Sequence, residues 1–252
     1  MIIDTHCHIN NECYEDLDKI LENAKNNNVL KMVCVGFDKE TNVKALEIAN
    51  KYDNVYATVG IHPCDCDIEE EYFNTIEEYI KNNKKIIAIG ETGLDYYWQK
   101  DNKEIQKKYF IKQIELAIKY NLPIIVHSRD SIGDIYDILK EYKNKVTGIM
   151  HCYSSSLEMA KLFIDLGFYI SFAGPITFKN NKTSANIIKN LDINRLLVET
   201  DCPFLTPEPF RGKQNEPSYV KYTFSKMAEI LEINEKELEN ILEHNFNRLF
   251  NI

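Results

Sequence analysis

Short apolar runs alternate with longer amphipathic runs along the whole chain. The short runs are rich in β-branched residues and have the length of buried strands, whereas the longer runs repeat apolar residues with the helical period. We predict strands at Met1–Asp4, Leu30–Val35, Val55–Gly60, Ile86–Gly90, Ile124–Val126, Val146–Met150, Phe168–Phe172 and Arg195–Glu199. We predict helices at Tyr14–Asn27, Glu40–Lys51, Glu70–Asn82, Glu104–Tyr120, Ile132–Tyr142 and Leu157–Leu166, a shorter one within Ser184–Asn190, and two more at Ser218–Leu231 and Glu235–Phe250.

Strands that alternate with helices indicate parallel β–α–β units. Eight such strands in about 200 residues is the number that closes a (β/α)8 barrel. We therefore predict an α/β protein, a single TIM-barrel domain over residues 1–252. A doubly wound open sheet is the alternative, but no glycine-rich phosphate loop follows the first strand.

Potential metal ligands stand at the ends of five predicted strands. His6 and His8 close the first strand as His-x-His, and residues two apart in an extended chain point to the same face. The others end the fourth, fifth, sixth and eighth strands: Glu91, His127, His151 and Asp201. The strand ends of a barrel meet at its C-terminal mouth, where active sites lie. We therefore expect the six side chains to converge there.

A single histidine or carboxylate at a strand end is commonly a packed side chain or a helix cap. Five strand ends of this kind in one chain indicate a metal centre instead. Four imidazoles and two carboxylates are too many ligands for one tetrahedral ion, and they suit two divalent metal ions that share one carboxylate. Cys7, Cys152 and Cys202 each adjoin a predicted ligand, and strand alternation predicts that they point away, toward helices.

Composition limits the classes of protein that remain. The formal net charge is -9 and the pI is about 5.3, which argues against a protein that coats nucleic acid with a broad basic surface. The charge does not exclude an enzyme that draws a phosphate into one metal-loaded pocket. Seven cysteines, an odd number, without a secretory signal predict reduced thiols and a cytoplasmic protein. No apolar run is long enough to span a membrane, and nothing implies an obligate protein partner.

Six segments that carry these residues resemble the TatD-type metal-dependent hydrolases of the amidohydrolase superfamily. They are DTHCH, VGIHP, IGETGLDYY, PIIVHSRDS, MHCYSS and ETDCPFLTPEPFRGKQNEP, spread from residue 4 to residue 217. The resemblance implies a barrel with a two-metal site that hydrolyses phosphodiester bonds, chiefly at DNA ends. It also implies that one metal is held by His6, His8 and Asp201, the second by His127 and His151, and that Glu91 bridges them.

We predict from these observations a metal-dependent deoxyribonuclease, most simply a 3′-exonuclease. Asp201 and Glu91 are the predicted catalytic residues, because Asp201 can accept a proton from the attacking water and Glu91 can hold both metals. Imidazole ligands favour zinc, manganese, iron or nickel, while nuclease chemistry often uses magnesium or manganese, so the metal stays open. The predicted substrate contacts are His62, Arg129, Arg211 and Lys213.

Three further points remain open at the level of sequence. Asp95 can orient a histidine of the metal site. The aromatic run 96–98 is either a stacking surface for a base or a local packing cluster. Other functions use the same residues: an ester or amide hydrolase, such as a D-aminoacyl-tRNA deacylase, or a barrel that serves only as a binding surface.

Overall fold

The computed structural model describes all 252 residues. Its strands are β1 (Ile2–Cys7), β2 (Val29–Val35), β3 (Val55–Val59), β4 (Ile86–Asp95), β5 (Ile124–Arg129), β6 (Gly148–Met150), β7 (Tyr169–Phe172) and β8 (Leu196–Val198). Its helices are α1 (Leu17–Asn26), α2 (Lys39–Lys51), α3 (Tyr72–Asn82), α4 (Lys103–Tyr120), α5 (Ile132–Glu141), α6 (Leu157–Asp165), α7 (Lys182–Asn190), α8 (Val220–Leu231) and α9 (Glu235–Phe250). None of these helices is both long enough and apolar enough to cross a bilayer.

The strands form one parallel sheet in which each strand pairs with the next along the chain, from β1 to β8. The chain that follows β8 then returns to β1. The peptide N–H of Asp201 donates to the carbonyl oxygen of His6 at 2.9 Å, and the N–H of His8 donates to the carbonyl oxygen of Cys202 at 2.8 Å. These bonds bring the two edges of the sheet together, so the predicted (β/α)8 barrel is confirmed and the open sheet is excluded.

The barrel is filled at its N-terminal end and open at its C-terminal end. Inward-facing apolar residues such as Ile3, Ile87 and Leu197 form an inner core with Phe246 and Phe250 of α9, which closes the bottom. A larger core lies between the sheet and the surrounding helices. Because apolar side chains fill the lower layers, polar groups that point inward have room only at the upper mouth.

Three strands extend further than their apolar runs predicted. Strand β1 continues to Cys7, β4 to Asp95 and β5 to Arg129. The added residues are mostly polar or glycine, so apolar patterning could not include them. Pairing with a neighbouring strand keeps them extended, as between His127 and Gly93. Consequently His6, Glu91 and His127 lie on rigid strands rather than in the loops after them.

Candidate metal centre

A cavity of about 930 Å³ opens at the C-terminal mouth of the barrel. Most of the predicted metal ligands line it, namely His8, Glu91, His127, His151 and Asp201. His6, the remaining one, is fully buried, and its ring stacks on that of His151 at 4.1 Å between centroids. The mouth therefore gathers all six side chains, as the positions at strand ends predicted.

Four ligand-type atoms form a first group. His6 Nε2 lies 3.1 Å from His8 Nε2 and 3.5 Å from both Glu91 Oε2 and Asp201 Oδ1. His8 Nε2 lies 3.6 Å from Glu91 Oε2 and 3.4 Å from Asp201 Oδ1. Ligand atoms on a tetrahedral centre with bonds of about 2.1 Å are about 3.4 Å apart. The four atoms thus have the spacing of the ligand set of one ion.

The other carboxylate oxygen of Glu91 faces a second group. His127 Nδ1 and His151 Nε2 each lie 3.0 Å from Glu91 Oε1, and His62 Nε2 lies 3.6 Å from it. The rings of His62 and His127 are 4.5 Å apart. Glu91 therefore presents one oxygen to each group, which is the arrangement of a carboxylate able to bridge two cations.

The far side of each imidazole fixes which nitrogen faces the cavity. His8 Nδ1 lies 3.1 Å from the carbonyl oxygen of Val35. A carbonyl only accepts, so Nδ1 carries the proton and Nε2 keeps its lone pair. His127 Nε2 lies 2.9 Å from Asp95 Oδ2, and the hydrogen bond to His127 outweighs the opposing effect of burial and lowers the pKa of Asp95. An ionised Asp95 holds the proton on Nε2, which leaves the Nδ1 lone pair of His127 for the centre.

His62 has the opposite orientation. The peptide N–H of Cys64 donates to His62 Nδ1 at 3.1 Å, so this nitrogen carries no proton and the neutral ring carries it on Nε2. Burial lowers the pKa of His62 to about 3, which keeps the ring neutral at ordinary pH. His62 can therefore donate a hydrogen bond into the cavity, but its Nε2 has no lone pair to offer a metal. Of the three imidazoles beside Glu91 Oε1, only His127 and His151 can be ligands.

The two carboxylates are held in their charged form. Burial raises the pKa of Glu91, but the nearby imidazoles of His151 and His127 outweigh burial and hold this pKa well below its usual range. Burial likewise acts against ionisation of Asp201, but the hydrogen bond to His8 and the neighbouring imidazoles lower its pKa. Both oxygen ligands are therefore anionic at neutral pH.

The chemistry of the first group fits a divalent cation. Two anionic carboxylates and His8 Nε2 face one another, and a positive charge among them offsets their repulsion: an imidazole proton when no metal is bound, or a divalent cation that replaces this proton. His6 Nδ1 is buried without a hydrogen-bond partner, so His6 Nε2 has no imposed proton and is free to be a ligand. Donor type, spacing and charge agree with a metal at this position.

The predicted substrate contacts separate into two pairs. His62 and Arg129 line the main cavity, and the Arg129 guanidinium lies 4.2 Å from the centroid of the Tyr97 ring. Arg211 lines a second cavity of about 590 Å³, where its guanidinium stacks over Phe178 at 4.3 Å. Lys213 lines neither of these two cavities. The structure thus places one pair in the wall of the main cavity and the other pair outside that wall.

Glu199 is a fully buried carboxylate that sequence reasoning missed. Its Oε1 accepts the peptide N–H of Cys152 at 2.7 Å and lies 3.2 Å from His151 Nδ1. This contact places the proton of His151 on Nδ1 and turns Nε2 toward Glu91. A signal was available, because Glu199 is a second acid at the end of the eighth strand, two residues before Asp201.

The cysteine predictions have different outcomes. Cys7 and Cys202 pack in the core between the sheet and the helices, as predicted. The prediction for Cys152 was wrong, because this residue lines the main cavity. Its φ of 44° is left-handed, so the chain turns at this point and strand alternation no longer decides where the side chain lies.

A parallel barrel with imidazoles and carboxylates at its mouth is an architecture that metal-dependent hydrolases use. Comparison with known proteins identifies the family, because residues 3–251 match the family described as TatD related DNase. A Bacillus subtilis (strain 168) relative, named uncharacterized metal-dependent hydrolase YabD, is 49% identical, and the match covers 100% of both chains. YcfH of Escherichia coli K12, also named an uncharacterized metal-dependent hydrolase, is 36% identical over 100% of this chain and 96% of its own.

Solved structures agree with this assignment. The crystal structure of YjjV, a TatD homolog from E. coli K12, superposes with a TM-score of 0.95 at 29% identity and covers 100% of this chain and 98% of that one. A TatD family hydrolase from Entamoeba histolytica superposes with a TM-score of 0.89 at 26% identity, over 99% and 97% of the two chains. The chain belongs to the TatD related DNase family, a family of metal-dependent hydrolases.

Proposed function

We propose that the protein hydrolyses phosphodiester bonds at DNA ends, as a 3′-exodeoxyribonuclease with two divalent metal ions. The observation that carries the two-metal proposal is the position of Glu91, whose two oxygens face two separate groups of ligand-type atoms. The DNA substrate is supported by the family, which is described by its DNase activity. The 3′ polarity comes from the resemblance alone.

His6, His8 and Asp201 would hold one ion, His127 and His151 the other, and Glu91 both. When bound, two cations lower the pKa of a water molecule and polarise a phosphoryl oxygen. The residues of the chain supply the remaining steps. Asp201 is the proposed general base, because its depressed pKa keeps it ionised and ready to accept a proton from the attacking water.

Two cavity residues are proposed to contact the scissile phosphate. His62 presents a neutral Nε2–H donor beside Glu91, which suits a phosphoryl oxygen that gains negative charge during attack. Arg129 stacks over Tyr97 and keeps the edge of its guanidinium free for bidentate hydrogen bonds to phosphate. Arg211 and Lys213 are proposed to contact the strand further from the reacting bond.

A deacylase is distinguishable from a nuclease by direct assay. The test uses protein stripped of metal by a chelator, checked by elemental analysis, and then reloaded with zinc, manganese, magnesium, iron or nickel. Each form is assayed on single-stranded DNA labelled at its 5′ end and on charged D-aminoacyl-tRNA. We expect no activity without metal, and a ladder of shortened 5′-labelled products with manganese or magnesium. Full turnover in metal-free protein, or cleavage of the aminoacyl ester alone, would overturn the proposal.

A further inference from the structure

Two aromatic side chains stand exposed at the mouth of the barrel. Trp98 is 65% exposed and Phe204 is 57% exposed, although large aromatic side chains usually gain stability from burial. Both line the cavity that contains Glu91 and Asp201. Trp98 follows β4 and Phe204 follows β8, and these strands are four positions apart in an eight-stranded barrel. The loops that carry the two rings therefore start from opposite sides of the barrel mouth.

The position of Trp98 is tied to the candidate centre by one carboxylate. Asp95 Oδ1 accepts the peptide N–H groups of Tyr97 at 3.0 Å and of Trp98 at 2.8 Å. Asp95 Oδ2 lies 2.9 Å from His127 Nε2. The Tyr97 ring packs edge-on against the indole, with 4.8 Å between centroids. An exposed ring held by these contacts is positioned for a ligand rather than left as a mobile side chain.

A cation and a second ring complete the surface. The Arg129 guanidinium lies 4.2 Å from the Tyr97 ring centroid and 5.4 Å from that of Trp98. In the loop after β8, the peptide N–H of Phe204 donates to the carbonyl oxygen of Asp201 at 3.0 Å, so the backbone that carries this ring is hydrogen-bonded to a residue of the centre. The mouth thus combines two exposed aromatic rings with a guanidinium that lies beside one of them.

We infer that Trp98 and Phe204 stack on unpaired nucleobases on either side of the scissile phosphate. This rests on the proposed nuclease function and defines its substrate as a single-stranded DNA end with a base on each side of the reacting bond. Every base has a face that can stack on an aromatic ring, so such a surface gives affinity without sequence preference. Bases inside a duplex are already paired and stacked, so they cannot offer these faces.

The binding test uses the fact that Trp98 is the only tryptophan of the chain, so tryptophan fluorescence reports this residue alone. Magnesium-loaded protein is titrated with a DNA dinucleotide that carries a hydrolysis-resistant phosphorothioate linkage. The matched ligand has the same sugars and linkage but no bases. We expect saturable quenching by the dinucleotide and at least about 5-fold weaker binding of the abasic ligand, since stacking of a base on an aromatic ring contributes to affinity. Equal affinity for both ligands would overturn the inference.

The activity test compares Trp98→Leu and Phe204→Leu with the unaltered protein. Leucine keeps an apolar side chain but removes the flat ring. Each protein is given a short single-stranded DNA, its counterpart with abasic sites at the two terminal positions, and a blunt-ended duplex. We expect the unaltered protein to prefer the base-bearing single strand by at least about 5-fold over both, and each variant to lose much of this preference.

The outcomes separate the inference from the function on which it rests. If metal-loaded protein cleaves none of the three DNAs, the proposed nuclease function fails. If it cleaves them all equally well, or if both leucine variants keep the full preference for bases, the function stands and the stacking inference is wrong.

Discussion

At the scale of single residues, the backbone of Asp201 makes it a suitable position for separating catalysis from folding. Asp201 follows β8 with a φ of 55°, in the left-handed region that asparagine and aspartate tolerate better than most residues. The turn aims its carboxylate at His6 and His8. Asparagine can keep this conformation and one oxygen, whereas alanine would add backbone strain to the loss of the carboxylate.

We predict that Asp201→Asn folds but loses at least about 10²-fold in turnover, the low end of what removal of a general base costs. An amide cannot accept the proton of the attacking water. The remaining ligands should still retain metal at the second group around Glu91. Turnover, melting temperature and bound metal are measured on the same sample. Near-normal turnover would contradict the role of Asp201, whatever the stability of the variant.

Asp130→Asn is the matched control for that experiment. Asp130 also follows a strand, has the same φ of 55° and lines the same cavity, but it is exposed and has no imidazole partner. The control should keep both the melting temperature and the turnover of the unaltered protein. A comparable loss of turnover in both variants would mean that the negative potential of the mouth, and not the proton acceptor, accounts for the effect.

Asp95 controls which nitrogen of His127 carries the proton, and this leads to a second prediction. One oxygen of Asp95 receives the N–H groups of Tyr97 and Trp98, so in Asp95→Asn the amide oxygen must occupy this place. The amide nitrogen then faces His127 Nε2 and donates to it, which moves the ring proton to Nδ1. We expect metal affinity to fall about 10–100-fold, as measured by titration calorimetry on metal-free protein.

The stability of Asp95→Asn distinguishes this explanation from simple unfolding. The variant keeps the two backbone hydrogen bonds, so its melting temperature in the metal-free state should stay close to that of the unaltered protein. Unchanged metal affinity would show that His127 does not depend on Asp95 for its orientation. The type of each residue could be predicted from the sequence, but the nitrogen that faces the centre could not, since it depends on distant partners such as Val35 and Glu199.

At the scale of elements, apolar periodicity was reliable wherever the apolar pattern continues to the end of the element. It predicted α9 with the observed bounds and all eight strands in order. It failed at the upper ends of β1, β4 and β5, because polar ligands and glycines interrupt the apolar pattern while backbone pairing continues. The same strand ends carry the candidate centre. The site could thus be predicted as a set of strand-end residues. The sequence could not predict that part of the site lies on rigid, paired strands.

Gly93 in β4 shows why a glycine must interrupt the apolar pattern of this strand. Its φ is 138°, and a Cβ at this position would collide with the backbone of His127 in β5. We predict that Gly93→Ala destabilises the fold by about 2–4 kcal/mol through strain and overpacking, and weakens metal binding by displacing His127. Denaturant unfolding of metal-free protein and a metal titration measure the two effects.

Gly133→Ala is the matched control. A Cβ at Gly133 meets nothing within 4 Å, and the residue lies within α5, so alanine should leave stability unchanged or raise it by up to about 1 kcal/mol. Metal affinity should not change. If Gly93→Ala is as stable as this control, β4 and β5 are not held as closely as the structure indicates.

At the scale of the whole molecule, an acidic protein must bind a polyanion through a small number of local cations. The net charge is -9, so the surface as a whole repels DNA, and attraction depends on the metal ions and on arginines near the mouth. The positions of these arginines predict which phosphates of a bound DNA strand each one contacts. Arg129 lines the cavity of the candidate centre, whereas Arg211 lines a second cavity beside Phe178 and Glu208.

We predict that Arg129→Ala lowers the affinity for DNA of any length, whereas Arg211→Ala lowers it only for longer strands. Each loss of a phosphate contact should weaken binding and reduce the slope of log affinity against log salt by about one. Arg129→Ala should do so for a dinucleotide and for longer strands alike, because its phosphate is beside the reacting bond. Arg211→Ala should bind the dinucleotide normally and lose affinity only for longer strands, whose backbone can reach the second cavity. Fluorescence titrations over a range of salt concentrations, with single strands of increasing length, measure both slopes.

An Arg211→Ala effect on the dinucleotide would mean that this loop moves toward the centre when DNA binds. No effect at any length would mean that the strand leaves the mouth by another path.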